Sequence, residues 1–313
     1  MKVLFQRGGS ARVTAAVGVM FPGQGAQRAG LGLAWRDDPA WSVVERAEEA
    51  LHRPLAGILL DPAAALDRTE DAQLSVLLTS LMVWETVAPT LAPIVGFAGH
   101  SLGQVTALIA AGTLSFDDGI RLAARRARHT QDAAERHPGE MAALLGVTLD
   151  QARQLCQTGG TECWLANDNG PGQVVVAGTP DAVAQVAERA GTAGAGRATR
   201  LRVGGAFHTP LMADAAAAFA QDLRTVPLSG STAPVVSNGD ALPYEDGEGW
   251  RQRLEEHLVR PVRWRESVEK LVAMGATELV EVGPGSILTG LARRIAPEVP
   301  VRGTESLREG VPA

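Results

Sequence analysis

Short apolar runs alternate with stretches of helical periodicity in the first part of the chain. The runs AVGVMF (16–21) and IVGFAG (94–99) contain only apolar or small residues, which is typical of strands buried on both faces. Apolar residues recur at helical spacing at about 39–51, 72–91, 103–112 and 117–136. This alternation of strands and helices predicts a parallel sheet covered by helices.

The order of elements changes at about residue 138. Four apolar strands, MAALLGV, ECWLAND, QVVVAG and ATRLRV, are interleaved with the amphipathic helices LDQARQLCQ and PDAVAQVAERAG. The resulting order, βαββαβ, is that of the split-βαβ, ferredoxin-like arrangement.

The first rhythm resumes after residue 206. Helices are predicted from about 210, near 249–258, at 264–274 and from about 286, with strands at APVVSN and ELVEVG. We therefore predict a large α/β domain formed by 1–137 and 206–313, into which a small ferredoxin-like domain, 138–205, is inserted. A cleft between two such domains is the expected ligand site.

Composition narrows the classes of function. The net charge of −6 argues against nucleic acid as a partner. No apolar run is long enough to span a bilayer, and the N-terminal residues lack the apolar region of a signal peptide. Cys156 and Cys163 lack metal-site spacing and fit a reducing compartment. We expect a cytoplasmic, monomeric protein without a bound metal.

The segment GHSLG (99–103) matches the pattern G-x-S-x-G in the context that the pattern requires, between an apolar strand and a helix. Glycines permit a turn tight enough to lift the hydroxyl of Ser101 to the edge of the sheet. The N–H of Leu102 then lies at a helix N-terminus, where it can stabilise an oxyanion. The pattern is short, so an ordinary turn serine remains the alternative at this point.

A nucleophilic serine needs a base within hydrogen-bond reach. Among the six histidines, His208 follows a strand end and two glycines, on a loop where a base is expected. His100 is expected to point away from its neighbour Ser101, and a capping or buried role for His208 stays open. The remaining candidates, which sit in polar contexts and are expected to be solvated, are His52, His129 and His137.

Four arginines lie between positions 121 and 128 of the helix predicted at 117–136. A solvated face explains most of them, and any one that turns inward can bind an anion. They are Arg121, Arg125, Arg126 and Arg128.

Four separated segments together resemble one family. FPGQGAQ (21–27), GHSLG (99–103), GAFHTPLM (205–212) and VEVGPGSILTGL (280–291) occur in the order found in malonyl-CoA:acyl-carrier-protein transacylases and the related acyltransferase domains of polyketide synthases. The resemblance extends from about Val17 to Ile295 and includes GEMAALLG, NDNGPGQVVVAG and RPVRWRESVEKL. It implies an α/β-hydrolase-like large domain with a parallel sheet and a ferredoxin-like insert, in agreement with the pattern above.

Roles follow from the resemblance residue by residue. It implies that Ser101 is the nucleophile, that His208 is the base, and that the main-chain carbonyl of His257, where the family commonly has glutamine, orients that base. Main-chain N–H groups of Gln24 and Leu102 are implied as the oxyanion hole.

The substrate residues are also carried over from the family. Arg126 matches the arginine that binds the free carboxylate of malonate, and Asn167 matches an asparagine lining the cleft. Phe207, before His208, resembles the malonyl class rather than the methylmalonyl class, because it fills the space that a branch methyl needs. Gln104 stands where the family usually has glutamate.

The implied reaction is ping-pong transfer of a malonyl group from malonyl-CoA to the phosphopantetheine thiol of an acyl carrier protein, with no bound cofactor. The alternatives are an enzyme of the same fold acting on another acyl group, or an editing hydrolase of acyl carrier proteins. A non-catalytic module that binds carrier proteins is the alternative from another class.

Overall fold

The computed structural model describes residues 15–304 apart from 65, 67, 92, 159–161 and 193–195. The ends of the predicted large domain, 1–14 and 305–313, therefore lie outside the described residues. The first unit runs from strand β1 to helix α5. Its elements are β1 (Val17–Phe21), α1 (Ser42–Leu51), α2 (Ala56–Leu60), α3 (Thr69–Val87), β2 (Ile94–Gly99), α4 (Gly103–Ala110) and α5 (Phe116–Arg136).

The next segment has the predicted order of four strands and two helices. Its elements are β3 (Glu140–Leu145), α6 (Leu149–Gln157), β4 (Cys163–Gly170), β5 (Gln173–Gly178), α7 (Pro180–Thr192) and β6 (Arg197–Arg200). β6 ends three residues earlier than the predicted strand, which extended to Val203. The remaining elements are α8 (Ala213–Leu223), β7 (Val235–Val236), β8 (Pro243–Tyr244), α9 (Gly247–Glu256), α10 (Trp264–Ala273), β9 (Glu278–Glu281), α11 (Ile287–Ile295) and β10 (Val301–Arg302).

Two separate sheets form the framework. The six-stranded sheet has the order β10-β9-β1-β2-β7-β8, in which all pairs are parallel except β7 with β8. The four-stranded sheet, β4-β5-β3-β6, is antiparallel throughout. The fold is thus mixed α/β with a parallel sheet, as the alternation of apolar runs predicts.

The parallel sheet is buried on both faces. Along β1, Val19 and Phe21 point into one large apolar cluster with α3, α4 and α5, whereas Met20 points into a second cluster with α10 and α11. Adjacent side chains of a strand face opposite sides, so continuous apolar sequence is the expected pattern for this position. Continuous apolar sequence therefore predicts the three longest strands of the parallel sheet. Of the described helices, none is long and apolar enough to cross a bilayer.

Candidate active site

A strained turn carries Ser101. It joins the end of β2 to the start of α4, and Ser101 has φ of 52°, in the left-handed region that residues other than glycine rarely adopt. A Cβ at Gly99 would lie 1.8 Å from the carbonyl oxygen of Gly103, and one at Gly103 would lie 2.2 Å from that of Phe21. Only glycine fits at either position, so the two glycines of the motif hold Ser101 at the carboxyl edge of the sheet.

The imidazole of His208 contacts the hydroxyl of Ser101. Its Nε2 lies 2.8 Å from Ser101 Oγ, and its Nδ1 lies 3.0 Å from the carbonyl oxygen of His257 and 3.1 Å from that of Arg260. Carbonyl oxygens only accept hydrogen bonds, so Nδ1 carries the proton and Nε2 accepts from the serine hydroxyl. The His257 carbonyl lies where the resemblance implied, and the Arg260 carbonyl is a second acceptor that sequence reasoning missed.

The surroundings keep His208 neutral. Burial, the charge of Arg126 and the proximity of His100 lower the pKa of His208 to about 3, against the opposing effect of its two main-chain hydrogen bonds. An imidazole with so low a pKa is in its basic form at neutral pH. It can therefore receive a proton from Ser101.

Arg126 is the arginine of α5 that turns inward. It is 2% exposed, its Nη2 donates to Ser101 Oγ at 3.1 Å, and its Nη1 donates to Gln73 Oε1 at 2.5 Å. Burial lowers the pKa of Arg126 to about 10, which leaves it charged at neutral pH. No carboxylate of the described residues contacts it. A buried cation without a counter-ion, next to the serine, is a site for an anionic group of a ligand.

The other three candidate arginines, Arg121, Arg125 and Arg128, lie on the predicted solvated face. Arg121 forms ion pairs with Asp117 and Asp118, and Arg125 forms one with Asp222. Arg128 is exposed.

The loop PGQG packs directly on the serine turn. A Cβ at Gly23 would lie 2.3 Å from the carbonyl oxygen of His100 and 3.6 Å from the nitrogen of Leu102. Gln24 and Leu102 both line the cleft that contains Ser101. Within the described part of the chain, neither main-chain N–H donates to a protein acceptor. Both N–H groups are therefore available to a ligand oxygen.

The other histidines take no part in the contact with the serine hydroxyl. His100 Nε2 lies 2.8 Å from Asn169 Oδ1 and 3.2 Å from Asn167 Nδ2, and its ring packs edge-on against Trp264. Burial lowers the pKa of His100. His100 thus points away from the hydroxyl, as expected.

The remaining three histidines lie outside the cleft. His52 and His137 are exposed, as predicted. The expectation of a solvated His129 is wrong, because its Nε2 contacts Asp222 at 2.7 Å and its side chain is 24% exposed.

A cavity of about 520 Å³ surrounds these groups, a size typical of small-molecule sites. Both sheets contribute to its walls: the serine turn comes from the parallel sheet, and Met141, Ala143, Val175 and Asn167 come from the antiparallel sheet. Phe207 lies beside the base and is half buried. Among the described residues, no cluster of three or more His, Cys, Asp or Glu is placed to hold a metal ion.

Comparison with known protein families identifies the class of protein to which this chain belongs. The family model for the acyl transferase domain matches residues 19–300. Fold and site together define an acyltransferase, an enzyme that moves an acyl group.

Individual relatives narrow the class. A malonyl CoA-acyl carrier protein transacylase of Synechocystis is 37% identical over 286 residues, which is 90% of this chain and 94% of the relative. An acyl-carrier-protein S-malonyltransferase from Bartonella henselae has a TM-score of 0.88 and 35% identity, covering 94% of this chain and 98% of its own. The chain belongs to the malonyl-CoA:acyl-carrier-protein transacylase family.

A further solved structure holds a partner. It contains a malonyl-transacylase in complex with the acyl-carrier protein of a type II polyketide synthase, with a TM-score of 0.89, 32% identity, and coverage of 95% of this chain and 99% of that chain.

Proposed function

We propose that this enzyme transfers a malonyl group from malonyl-CoA to the phosphopantetheine thiol of an acyl carrier protein, through a malonyl ester of Ser101. The observation that carries the proposal is the convergence on one atom: Ser101 Oγ lies 2.8 Å from His208 Nε2 and 3.1 Å from Arg126 Nη2. A nucleophile, a base and a cation for a carboxylate thus lie together in one cleft. The names of the relatives and the carrier protein bound to one of them support the same substrates.

The first half-reaction forms the ester. His208 Nε2 takes the proton of Ser101 as Oγ attacks the thioester carbonyl carbon, and the negative charge develops on the carbonyl oxygen. The C–S bond then breaks, and the coenzyme A sulfur leaves with the proton held by His208. The Nδ1–H bonds to the carbonyls of His257 and Arg260 stabilise the imidazolium in between.

The oxyanion is assigned to the main-chain N–H groups of Gln24 and Leu102. Their availability supports this role, as does the position of Leu102 at the N-terminus of α4. Removing one donor from such a site typically lowers the rate by about 10²–10³-fold.

The second half-reaction reverses the roles. His208 takes the proton of the phosphopantetheine thiol, the sulfur attacks the malonyl ester, and Ser101 leaves as it regains the proton. These steps use protein groups and the two thiol carriers alone, so the mechanism requires no bound cofactor.

Arg126 is assigned to acyl-group selection. A guanidinium can donate two parallel hydrogen bonds to a carboxylate, and Gln73 fixes one of its nitrogens. A neutral acyl chain such as acetyl leaves this buried charge without a partner, which disfavours its transition state. Phe207, beside His208, is assigned to the exclusion of a branch methyl, so malonyl is favoured over methylmalonyl. Asn167 is assigned to the cleft wall, where it approaches His100.

We also propose that 138–205 forms a ferredoxin-like domain inserted into an α/β-hydrolase-like domain made of 1–137 and 206–313. The strand order β4-β5-β3-β6 and the antiparallel pairing support this assignment. One face of that sheet packs with α6 and α7, and the other contributes Met141, Ala143 and Val175 to the cleft. The small domain therefore acts as a wall of the acyl site.

A transfer assay tests the function. Purified enzyme is mixed with malonyl-, methylmalonyl- or acetyl-CoA and a phosphopantetheine-bearing carrier protein, and carrier acylation is followed by mass spectrometry. We expect malonyl transfer to be the fastest. Hydrolysis of preformed acyl carrier protein without transfer would identify an editing hydrolase, and carrier binding without either reaction would identify a binding module.

A further inference from the structure

Asn238 lies next to the serine turn with every polar group engaged. It follows β7 by two residues, and it is 2% exposed. Its side-chain Oδ1 accepts from the N–H of Ser101 at 2.9 Å, and its Nδ2 donates to the carbonyl of Gly99 at 2.7 Å. Its own N–H donates to Gln104 Oε1 at 2.9 Å, and its carbonyl accepts from the N–H of Arg263 at 2.9 Å.

The chemistry of these partners fixes the orientation of the amide. A main-chain N–H must face an oxygen, and a main-chain carbonyl must face a donor, so Oδ1 and Nδ2 cannot exchange places. The amide therefore bridges the two peptide groups that flank His100, the residue immediately before the left-handed Ser101. A left-handed conformation costs on the order of 1–3 kcal/mol and persists only where the surroundings enforce it.

His257 connects this bridge to the base. Its Nε2 lies 3.2 Å from Asn238 Oδ1, and its main-chain carbonyl accepts from His208 Nδ1 at 3.0 Å. Because Oδ1 is an acceptor, Nε2 of His257 carries the proton. His257 is thus linked to both members of the dyad: its carbonyl contacts His208 directly, and its side chain reaches the N–H of Ser101 through Asn238. His208 also has positive φ, at 62°, so both reacting residues are held in strained conformations.

Gln104 also holds Asn238, through a hydrogen bond to its main-chain N–H. It lies in the first turn of α4, is 1% exposed, and bonds the backbone of Asn238 rather than the amide. Gln104 and His257 therefore both contact Asn238.

We propose that Asn238, held by Gln104 and His257, is a positioning residue that sets the Ser101 peptide so that Oγ faces His208 and the Leu102 N–H faces the cleft. This inference rests on the proposed function in that Ser101 is taken as the nucleophile. Asn238 contacts no reacting atom; it acts through the peptide of Ser101 and through His257. Misplacement of a reacting group by about 1 Å can lower a rate by about 10²-fold.

Substitutions at His257 distinguish the positioning role of its side chain from the role of its main-chain carbonyl, which orients His208. His257→Leu removes the donor to Asn238 Oδ1 and keeps the carbonyl for His208. His257→Gln keeps both, because a glutamine amide can also donate to Oδ1. Asn238→Ala removes the bridge itself, and Ser237→Ala, at the buried neighbouring position, is the matched control because no hydrogen bond of its side chain enters this network.

The experiment measures the pseudo-first-order rate of Ser101 labelling by a fluorophosphonate probe, together with kcat and KM for malonyl-CoA, on variants whose melting curves show a folded protein. We expect Asn238→Ala to slow both labelling and kcat by about 10²-fold, and His257→Leu to slow both by about tenfold. KM should change little in either variant. His257→Gln and Ser237→Ala should stay within about twofold, because the donor and the bridge respectively are intact. Labelling of folded His257→Leu at the rate of His257→Gln would overturn the proposal, even if Asn238→Ala does not fold.

The probe also separates this proposal from the proposed function. If the native enzyme transfers no malonyl group but its Ser101 labelling still depends on the donor at 257, the function is wrong and the positioning role holds. If malonyl transfer is normal and labelling ignores the donor at 257, the function holds and the positioning role is wrong.

Discussion

The two sheets contribute to one cleft in different ways. The parallel sheet places functional groups at the carboxyl ends of its strands: Gln24 after β1, Ser101 after β2 and Asn238 after β7. The antiparallel sheet contributes apolar side chains from one face, chiefly Met141, Ala143 and Val175. Strained loops therefore lie on one side of the cleft, and on the other lies a sheet face that carries these apolar residues together with the amide side chains of Asn167, Asn169 and Gln173.

This difference separates chemistry from shape. Strand ends of a parallel sheet present free backbone groups and helix N-termini, which suit charge development in a transition state. A pleated antiparallel face presents side chains at regular intervals, which suits the measurement of ligand size. We expect changes on the parallel side to affect the rate constant and changes on the antiparallel side to affect which acyl group is accepted.

The largest expected effect is the loss of the base. His208→Ala should lower the rate of CoA release from malonyl-CoA by about 10²–10⁴-fold, because Ser101 then has no group to take its proton. Val175→Ala, on the antiparallel wall, should change that rate by less than about tenfold, since it leaves every polar contact in place. Rapid-quench measurement of CoA release gives both values. Equal losses in the two variants would remove the distinction between the sheets.

Arg126 should show a large effect confined to acidic acyl groups. Arg126→Ala removes charge-assisted hydrogen bonds that are each worth about 1.5–3 kcal/mol, so kcat/KM for malonyl-CoA should fall by about 10²-fold or more. That for acetyl-CoA should fall far less. Arg125→Ala, which loses only a surface ion pair with Asp222, is the control on the same helix and should leave both values nearly unchanged. A loss of the same size for both acyl groups would refute the carboxylate assignment.

Phe207 should affect the preference between acyl groups more than the rate. Phe207→Ala opens space for a branch methyl beside His208, so the ratio of kcat/KM for malonyl-CoA to that for methylmalonyl-CoA should fall by about tenfold. Competition between the two thioesters, read by mass spectrometry of the acylated carrier, measures the ratio directly. An unchanged ratio would place the discrimination elsewhere in the wall.

The last expected effect is on stability against acid, which is independent of the acyl group. His100, His208 and His257 have pKa values lowered by burial, and all three lie beside the parallel sheet, whereas 138–205 contains no histidine. As the pH falls below 6.5 the unfolded chain binds protons that the folded chain does not, so stability decreases by up to about 1.4 kcal/mol per pH unit for each such group. For His208 this loss continues until the pH reaches its folded pKa of about 3.

Melting curves between pH 7 and pH 5 measure that loss. The melting temperature should fall with pH, by roughly 2–4 °C for each kcal/mol. His257→Gln should make the fall shallower because it removes one of the three groups. A melting temperature of the native protein that is independent of pH over this range would contradict the lowered pKa values.

Much of the fold could be predicted from the sequence, because long buried strands and amphipathic helices each have a regular pattern of apolar residues. The strand IVGFAG and the helix LDQARQLCQ match β2 and α6 at both ends. The strand APVVSN is reduced to β7, Val235–Val236. Ser237 leaves the sheet to bond the carbonyl of Leu242, and Asn238 leaves it to bond residues distant in sequence, such as Gly99. The short strands β8 and β10 have two residues each, too few for any periodicity to register.

The candidate site, too, could be predicted only in part from the sequence. Ser101 and His208 were identified as candidates because glycines surround them, and steric exclusion leaves a visible pattern. Gln73 and Asn238 lie in ordinary helix and strand-end sequence, and only folding brings them to Arg126 and Ser101. No spacing along the chain connects partners 137 residues apart, as Ser101 and Asn238 are.

The most direct test of the central claim is the intact mass of the enzyme after brief mixing with malonyl-CoA, followed by fragmentation of the modified peptide. The account predicts one malonyl group on Ser101, its discharge when carrier protein with a free phosphopantetheine thiol is added, and no adduct on Ser101→Ala. Malonyl transfer at the native rate by Ser101→Ala, or a stable adduct on another residue that the carrier discharges, would contradict it.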